Sequence, residues 1–216
     1  MDTVGLITKT VDDVEKMLEI LSGPDGKDGL VTSTFKAETT QPKKLKIGMI
    51  NEVEIATKDH VVEKIDLDII NYAPAIHTCI SSAETMSNLA RLDGIRYGER
   101  AKNAKNLDEI YLKSRGEGLD YKNKLRILTG AFVLSGDNYE EYFVPAQKAR
   151  TLLINSYEKL FRSYDFLISP IDEVIAISAS LAGLPLITLP IGMQIIGPKN
   201  SDAKMLAFVK TMEITC

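Results

Sequence analysis

Near the start of the chain, apolar residues recur every three to four positions. Val11, Val14, Met17, Leu18 and Leu21 fall on one stripe and predict a helix. Thr10 precedes the stripe and Asp13 stands three residues further on, so oxygen acceptors lie over the first-turn N–H groups. Gly23-Pro24-Asp25-Gly26 ends the helix, because proline and glycine punctuate the backbone. From Lys43 to Ile50 the period falls to two. Leu45, Ile47 and Met49 alternate with Lys44, Lys46 and Gly48, the pattern of a strand.

Helical spacing returns from Asn71 to about Gly98, with Ile80, Ala83, Ser87 and Ala90 on one small-residue face. Asn106 is a good cap for a helix with acids in its first turn, and Gly116 and Gly118 end it. Tyr121–Leu134 and Asp137–Tyr164 read as an antiparallel helical pair broken at Ser135-Gly136. Pro145 either kinks the second arm or marks its true start. Phe166–Ile168, Leu186–Leu189 and Met193–Ile196 read as short buried strands, and Asp202–Met212 as a closing helix. Strands interleaved with long helices predict an α/β fold. The expected sheet is mixed and mainly parallel, is covered by helices, and holds Leu45–Met49 with those three strands. No repeat or linker divides the 216 residues, so residues 1–216 read as a single domain.

Composition narrows the function classes. The net charge of -4 argues against direct nucleic-acid binding, which relies on clustered Lys and Arg. The basic run Lys43-Lys44-Leu45-Lys46 leads into a strand and reads as a solvated edge. No apolar run approaches the roughly 20 residues of a membrane span. Asp2 follows Met1 without the apolar core of a secretory signal. Cys79 and Cys216 define neither a disulfide framework nor a metal site. A reducing, cytoplasmic setting fits this usage, an organelle being the alternative.

The candidate nucleophiles are poor ones. A serine attacks an amide only when a base takes its proton and backbone N–H groups receive the oxyanion. The sequence contains neither a Gly-Gly-Ser loop nor a Gly-x-Ser-x-Gly elbow. Ser81-Ser82, the adjacent serine pair, lies in an apolar helical stretch and reads as helix packing. His60 and His77 have no Ser or Cys partner by motif, so a histidine triad is not expected. On this reading the chain has no catalytic residue.

Several blocks nevertheless carry a strong likeness. They are Ser87-Asn-Leu-Ala-Arg-Leu-Asp-Gly-Ile-Arg-Tyr97, Ser114-Arg-Gly-Glu-Gly118, Gln147-Lys-Ala-Arg-Thr-Leu152, Leu181-Ala-Gly-Leu-Pro185 and Gln194-Ile-Ile-Gly197. Together they resemble the C-terminal part of the amidase signature family, in its branch of glutamyl-tRNA(Gln)/aspartyl-tRNA(Asn) amidotransferase A subunits. Met1-Asp2-Thr3-Val4-Gly5 with Ile7-Thr8 resembles the family segment that follows the nucleophile loop. The resemblance therefore implies an incomplete amidase-type domain whose Ser-Ser-Lys segment lies elsewhere and which is inactive alone. The stretches between Ile50 and Asn71, Pro170 and Leu181, and Pro190 and Gln194 are shorter than in the family.

The same resemblance implies a glutamine site made by an arginine, an aspartate and a tyrosine. The arginine carries over onto Arg126, whose planar guanidinium would grip a carboxylate through two parallel bonds. Asp172 or Glu173 would receive the ammonium group. The tyrosine position falls on Ile76 or His77 by direct counting, and on Tyr72 if a shift is allowed. The implied role is glutaminase, releasing ammonia from glutamine to convert mischarged Glu-tRNA(Gln) to Gln-tRNA(Gln). The implied partners are the B and C subunits of the amidotransferase, with no membrane, and with tRNA met only through the partner subunit. No cofactor is implied in this chain; ATP and Mg would be used by the partner subunit. A hydrolase of small amides and a non-catalytic scaffold are the alternatives.

Overall fold

The computed structural model describes residues 4–27, 29, 34–40, 44–53 and 60–212. Met1–Thr3 of the family-like N-terminal segment, Lys43 of the basic cluster and Cys216 lie outside them. In chain order the first elements are α1 (Val11–Leu21), β1 (Lys46–Ile50), β2 (Val61–Ile65), α2 (Ala73–Leu89), α3 (Leu107–Gly118) and α4 (Tyr121–Val133). They are followed by α5 (Val144–Leu160), β3 (Phe166–Pro170), α6 (Glu173–Ala182), β4 (Leu186–Leu189), β5 (Met193–Ile196) and α7 (Asp202–Lys210). The elements fall into two compact units. One joins Met1–Asn71 to Leu153–Cys216, and the other is Tyr72–Leu152.

The first unit is built on a five-stranded sheet of order β2-β1-β3-β5-β4. β1 pairs in parallel with both β2 and β3, while β5 runs antiparallel to β3 and β4. Four of the five strands therefore point the same way, the mixed and mainly parallel sheet that the alternation predicts. All four expected strands lie in it. β2 is an addition, found in the stretch that reads as shortened between Ile50 and Asn71. Charged Glu63 and Lys64 interrupt its apolar alternation, as suits an edge strand.

Alternation sorts the sheet into two faces. Ile47, Phe166, Ile168, Met193 and Ile195 join Met205, Phe208 and Val209 of α7 in one buried cluster, with Val11 of α1 packed against it. Phe166 and Phe208 stack with ring centroids 5.4 Å apart. Helix α1 starts as its cap predicts: Thr10 Oγ1 accepts the Asp13 N–H at 3.1 Å. It is tied to α7 by Lys210, whose ammonium lies 2.8 Å from Asp12 and 2.6 Å from Glu15.

Asp165 fastens the entry of the parallel core. Its N–H donates to the Lys46 carbonyl at 2.7 Å, and its Oδ2 accepts the Lys46 N–H at 2.9 Å. Its other oxygen receives the Lys204 ammonium at 2.6 Å. Burial alone would raise this carboxyl's pKa, but the Lys204 ammonium and the Lys46 N–H outweigh it and hold the value below the usual range.

In the second unit α4 packs along α2, not antiparallel to α5 as the pattern of a hairpin suggests. The reason is Gly130. A Cβ there would run into the Ser82 carbonyl oxygen and would sit 2.7 Å from Met86 Cβ. Only glycine lets the two backbones meet so closely. Asp137–Tyr164 is also not one helix. Val144 N–H bonds to the Tyr139 carbonyl five residues back, giving a π-helical turn over Tyr139–Phe143. α5 then begins at Val144, with Pro145 in its first turn, where a missing N–H costs nothing.

Gly130→Ala should lower stability by on the order of 1–3 kcal/mol, as overpacking does, with the urea midpoint as the readout. Asp165→Asn should be less stable than wild type at neutral pH. Because the folded-state pKa is depressed, that difference should be lost as pH falls through the folded value. Melting temperatures of the two proteins from pH 7 downwards would show the convergence.

Candidate functional site

The two helices joined at Gly130 present a small polar group. His77 and Thr78 lie on α2 before Ser82, and Arg126 lies on α4 four residues before Gly130. The Arg126 guanidinium acts electrostatically on the His77 ring. His77 is half-buried, and its Nδ1 lies 3.5 Å from Ser81 Oγ, one turn along α2. Burial depresses the His77 pKa first and Arg126 depresses it further, against the opposing carboxylate of Glu84. Arg126 itself is exposed and has no ion-pair partner among the described residues. An exposed guanidinium without an ion-pair partner offers hydrogen-bond donors to an anion. Ser82, by contrast, is only 3% exposed and sits under the helix crossing, as helix packing requires.

The blocks that carry the family likeness are wired together as loops and caps. Asp93 Oδ1 accepts the N–H of Ile95 at 2.8 Å and of Arg96 at 3.3 Å, closing a turn in which Gly94 takes φ 76°. Ser114, buried on α3, accepts the Ala101 N–H at 3.0 Å. Beside it, Arg115 donates to the carbonyls of Leu89 and Leu92 at 2.9 and 3.0 Å. A cation thus adds hydrogen bonds to carbonyls at and just beyond the C-terminal end of α2.

The other unit places Asp172 and Glu173 just past the C-terminal end of β3. Asp172 is not a loop carboxylate. It is the N-cap of α6, its Oδ1 accepting the Val174 N–H at 2.7 Å, and Glu173 is the first, exposed residue of that helix. The end of β3 borders a cleft of about 460 Å³ lined by Thr8, Lys9, Ile171, Thr188, Leu189 and Pro190. Ligands of open α/β sheets collect at this carboxyl edge. Deeper in, Ser169 Oγ and Gln194 Oε1 are buried without hydrogen-bond partners among the described residues. The two residues face each other across β3 and β5.

Of the residues expected to hold substrate, Arg126 and Tyr72 belong to one unit, and Asp172 and Glu173 to the other. Tyr72 precedes α2 as its N-cap, 67% exposed, and no hydrogen bond links it to Arg126 among the described residues. His77, one of the two positions reached by direct counting, feels the Arg126 charge. Its i,i+4 spacing from Ser81 was the available signal for the pair.

Comparison with known proteins agrees with these blocks. The Amidase family model matches residues 1–183. The A subunit of glutamyl-tRNA(Gln) amidotransferase from Streptococcus suis (strain 05ZYH33) is 32% identical over 266 residues, covering 100% of this chain and 54% of that protein. Its counterpart from Helicobacter pylori (strain P12) is 35% identical over 256 residues, covering 95% and 56%. The chain thus spans about half the length of the curated relatives it matches. Among solved structures, a bacterial aryl acylamidase of the amidase signature family superposes with a TM-score of 0.63 at 16% identity. That superposition covers 95% of this chain and 52% of the other. Kluyveromyces lactis allophanate hydrolase gives 0.53 at 15%, covering 94% and 37%.

Arg115→Ala should remove the cation's hydrogen bonds to the Leu89 and Leu92 carbonyls and cost about 1–3 kcal/mol. Hydrogen exchange over residues 87–97 should speed up in the variant, while exchange in the sheet stays unchanged.

Proposed function

Because the chain belongs to the Amidase family, we propose that it is the substrate-holding part of the A subunit of a glutamine-dependent tRNA amidotransferase. Its task on this reading is to hold glutamine while the amide is cleaved. The released ammonia goes to a partner subunit, which uses ATP and Mg to convert mischarged Glu-tRNA(Gln) to Gln-tRNA(Gln). The B and C subunits are the proposed partners, and tRNA contacts the complex through the partner. The attacking serine belongs to the family's Gly-Gly-Ser loop, a motif absent from these 216 residues. No described helix is long and apolar enough to cross a membrane.

The observation that carries the reading is Arg126. It lies in a stretch similar to the amidotransferase relatives, is exposed, and has no ion-pair partner among the described residues to compete with a ligand. A bidentate guanidinium–carboxylate pair is the strongest contact available to the main-chain end of a free amino acid. In the same scheme Asp172 or Glu173 receives the ammonium group. Asp172 already gives one oxygen to the α6 cap and keeps the other free for this role. Tyr72 contributes its phenol only as the third and weakest contact.

Titration calorimetry with L-glutamine tests the proposal. Arg126→Ala should weaken binding roughly 10- to 100-fold, the worth of a charge-assisted contact. Arg126→Lys should recover part of it, because an ammonium lacks the planar fork. Equal affinity for wild type and Arg126→Ala, at unchanged melting temperature, would falsify the assignment.

A further inference from the structure

We propose that the outer face of α4 is a self-association surface, and that its occupant is the same helix of a second copy of this chain, running antiparallel about a two-fold axis. The inference does not depend on the glutamine reading. Tyr121, Leu125, Leu128 and Phe132 are spaced four, three and four residues apart, the alternation of a coiled-coil seam. A surface helix ordinarily turns such a stripe towards the core. In α4 the buried positions are instead Gly130 and Val133, and the stripe faces outward. Tyr121 is 78% exposed, Leu128 67%, and Leu125 and Phe132 51% each. Tyr142 of the π-helical turn lengthens the seam, its ring centroid 5.5 Å from that of Phe132. Contiguous apolar surface of this kind marks a contact with another protein.

Charge and area select a second copy as the occupant. One end of the seam is basic: Lys122, exposed beside Tyr121, and Lys124, whose ammonium also meets the Gly116 carbonyl at 2.6 Å. The other end is acidic, with Glu140 and Glu141 exposed on the turn that carries Tyr142. A parallel pair of these helices would set like charges together at both ends. A two-fold antiparallel pair sets each basic end against the acidic end of the other copy, twice over. Leu125 then packs on Leu128 of the second copy, and Tyr121 on Phe132. The five exposed side chains of each copy together bring on the order of 1,000 Å² into the contact, the lower bound of a specific interface. A weak dimer follows, with a Kd of about 10 µM. Arg126 falls about 100° round the helix from Leu125 and lies off the seam.

Sedimentation equilibrium from about 1 to 200 µM should show the monomer passing into a dimer. Leu128→Glu should weaken the dimer more than about tenfold, because a carboxylate then enters an apolar contact. Its circular dichroism and melting temperature should stay those of wild type, since the residue is exposed. Lys122→Glu and Glu141→Lys should each weaken self-association roughly three- to tenfold, as exposed ion pairs turn into repulsions. An equimolar mixture of these two variants should recover the wild-type dimer, because opposite charges again meet at both ends. A chain that stays monomeric over the whole range overturns the inference. So does a dimer that Leu128→Glu leaves intact, or a mixture of the charge variants that associates no better than either alone. If the wild-type chain is monomeric but loses binding to the amidotransferase B subunit on Leu128→Glu, that subunit covers the seam and the second copy is overturned as its occupant.

Discussion

The contact between Gly130 and the Ser82 carbonyl is the constraint on which the packing of α4 against α2 depends. Helix pairs held 8–10 Å apart by ordinary side chains keep their faces separated. Removing the side chain at one position brings α4 down onto the backbone of α2. Small residues on α2, Ser82 and Ala83, are buried at this junction. The approach also explains why Ser82 is inert as a nucleophile: a helix interior covered by a second helix offers no free N–H groups to an oxyanion.

Much of the likeness to amidases resides in devices that hold the fold. In Leu181-Ala-Gly-Leu-Pro185, Gly183 adopts φ 67° and α6 closes as the Leu184 N–H reaches back to the Ala179 carbonyl at 3.0 Å. The Gly197 N–H then bonds to the Pro185 carbonyl at 3.0 Å, linking this block to Gln194-Ile-Ile-Gly197. Asp93-Gly94 and Ser114-Arg115 do the same for the other unit. These residues make the family recognisable. The residues that would touch a substrate are few and sit between them.

Local signals are legible where one physical cause acts alone. Thr10, Asn106 and Asp120 each cap the helix that follows, since a side-chain oxygen and a nearby N–H need no distant partner. Strands with clean alternation, such as Leu45–Met49, are equally plain. Helix α6 is not, because Val174-Ile175-Ala176-Ile177 is apolar all round and a buried helix shows no stripe. With the helix goes its cap, Asp172, whose Oδ1 accepts the Val174 N–H. Nor can the sequence reveal the packing of α4 on α2, which depends on a glycine meeting a carbonyl 48 positions away. Arg126 is visible by likeness, and His77 is one of the two positions that direct counting reaches.

The buried pair Ser169 and Gln194 has a consequence for how the sheet assembles. Apolar strands attract one another in almost any alignment, so the hydrophobic effect alone gives little choice between neighbouring alignments of β3 and β5. Sliding one strand by a single residue would turn its polar side chain towards the layer of Phe166, Ile168 and Ile195, stranding an amide or hydroxyl in hydrocarbon. Polar atoms that contribute little to stability in the correct pairing thus penalise a slip of one residue. The two residues act as a proofreading step for the chain as it folds.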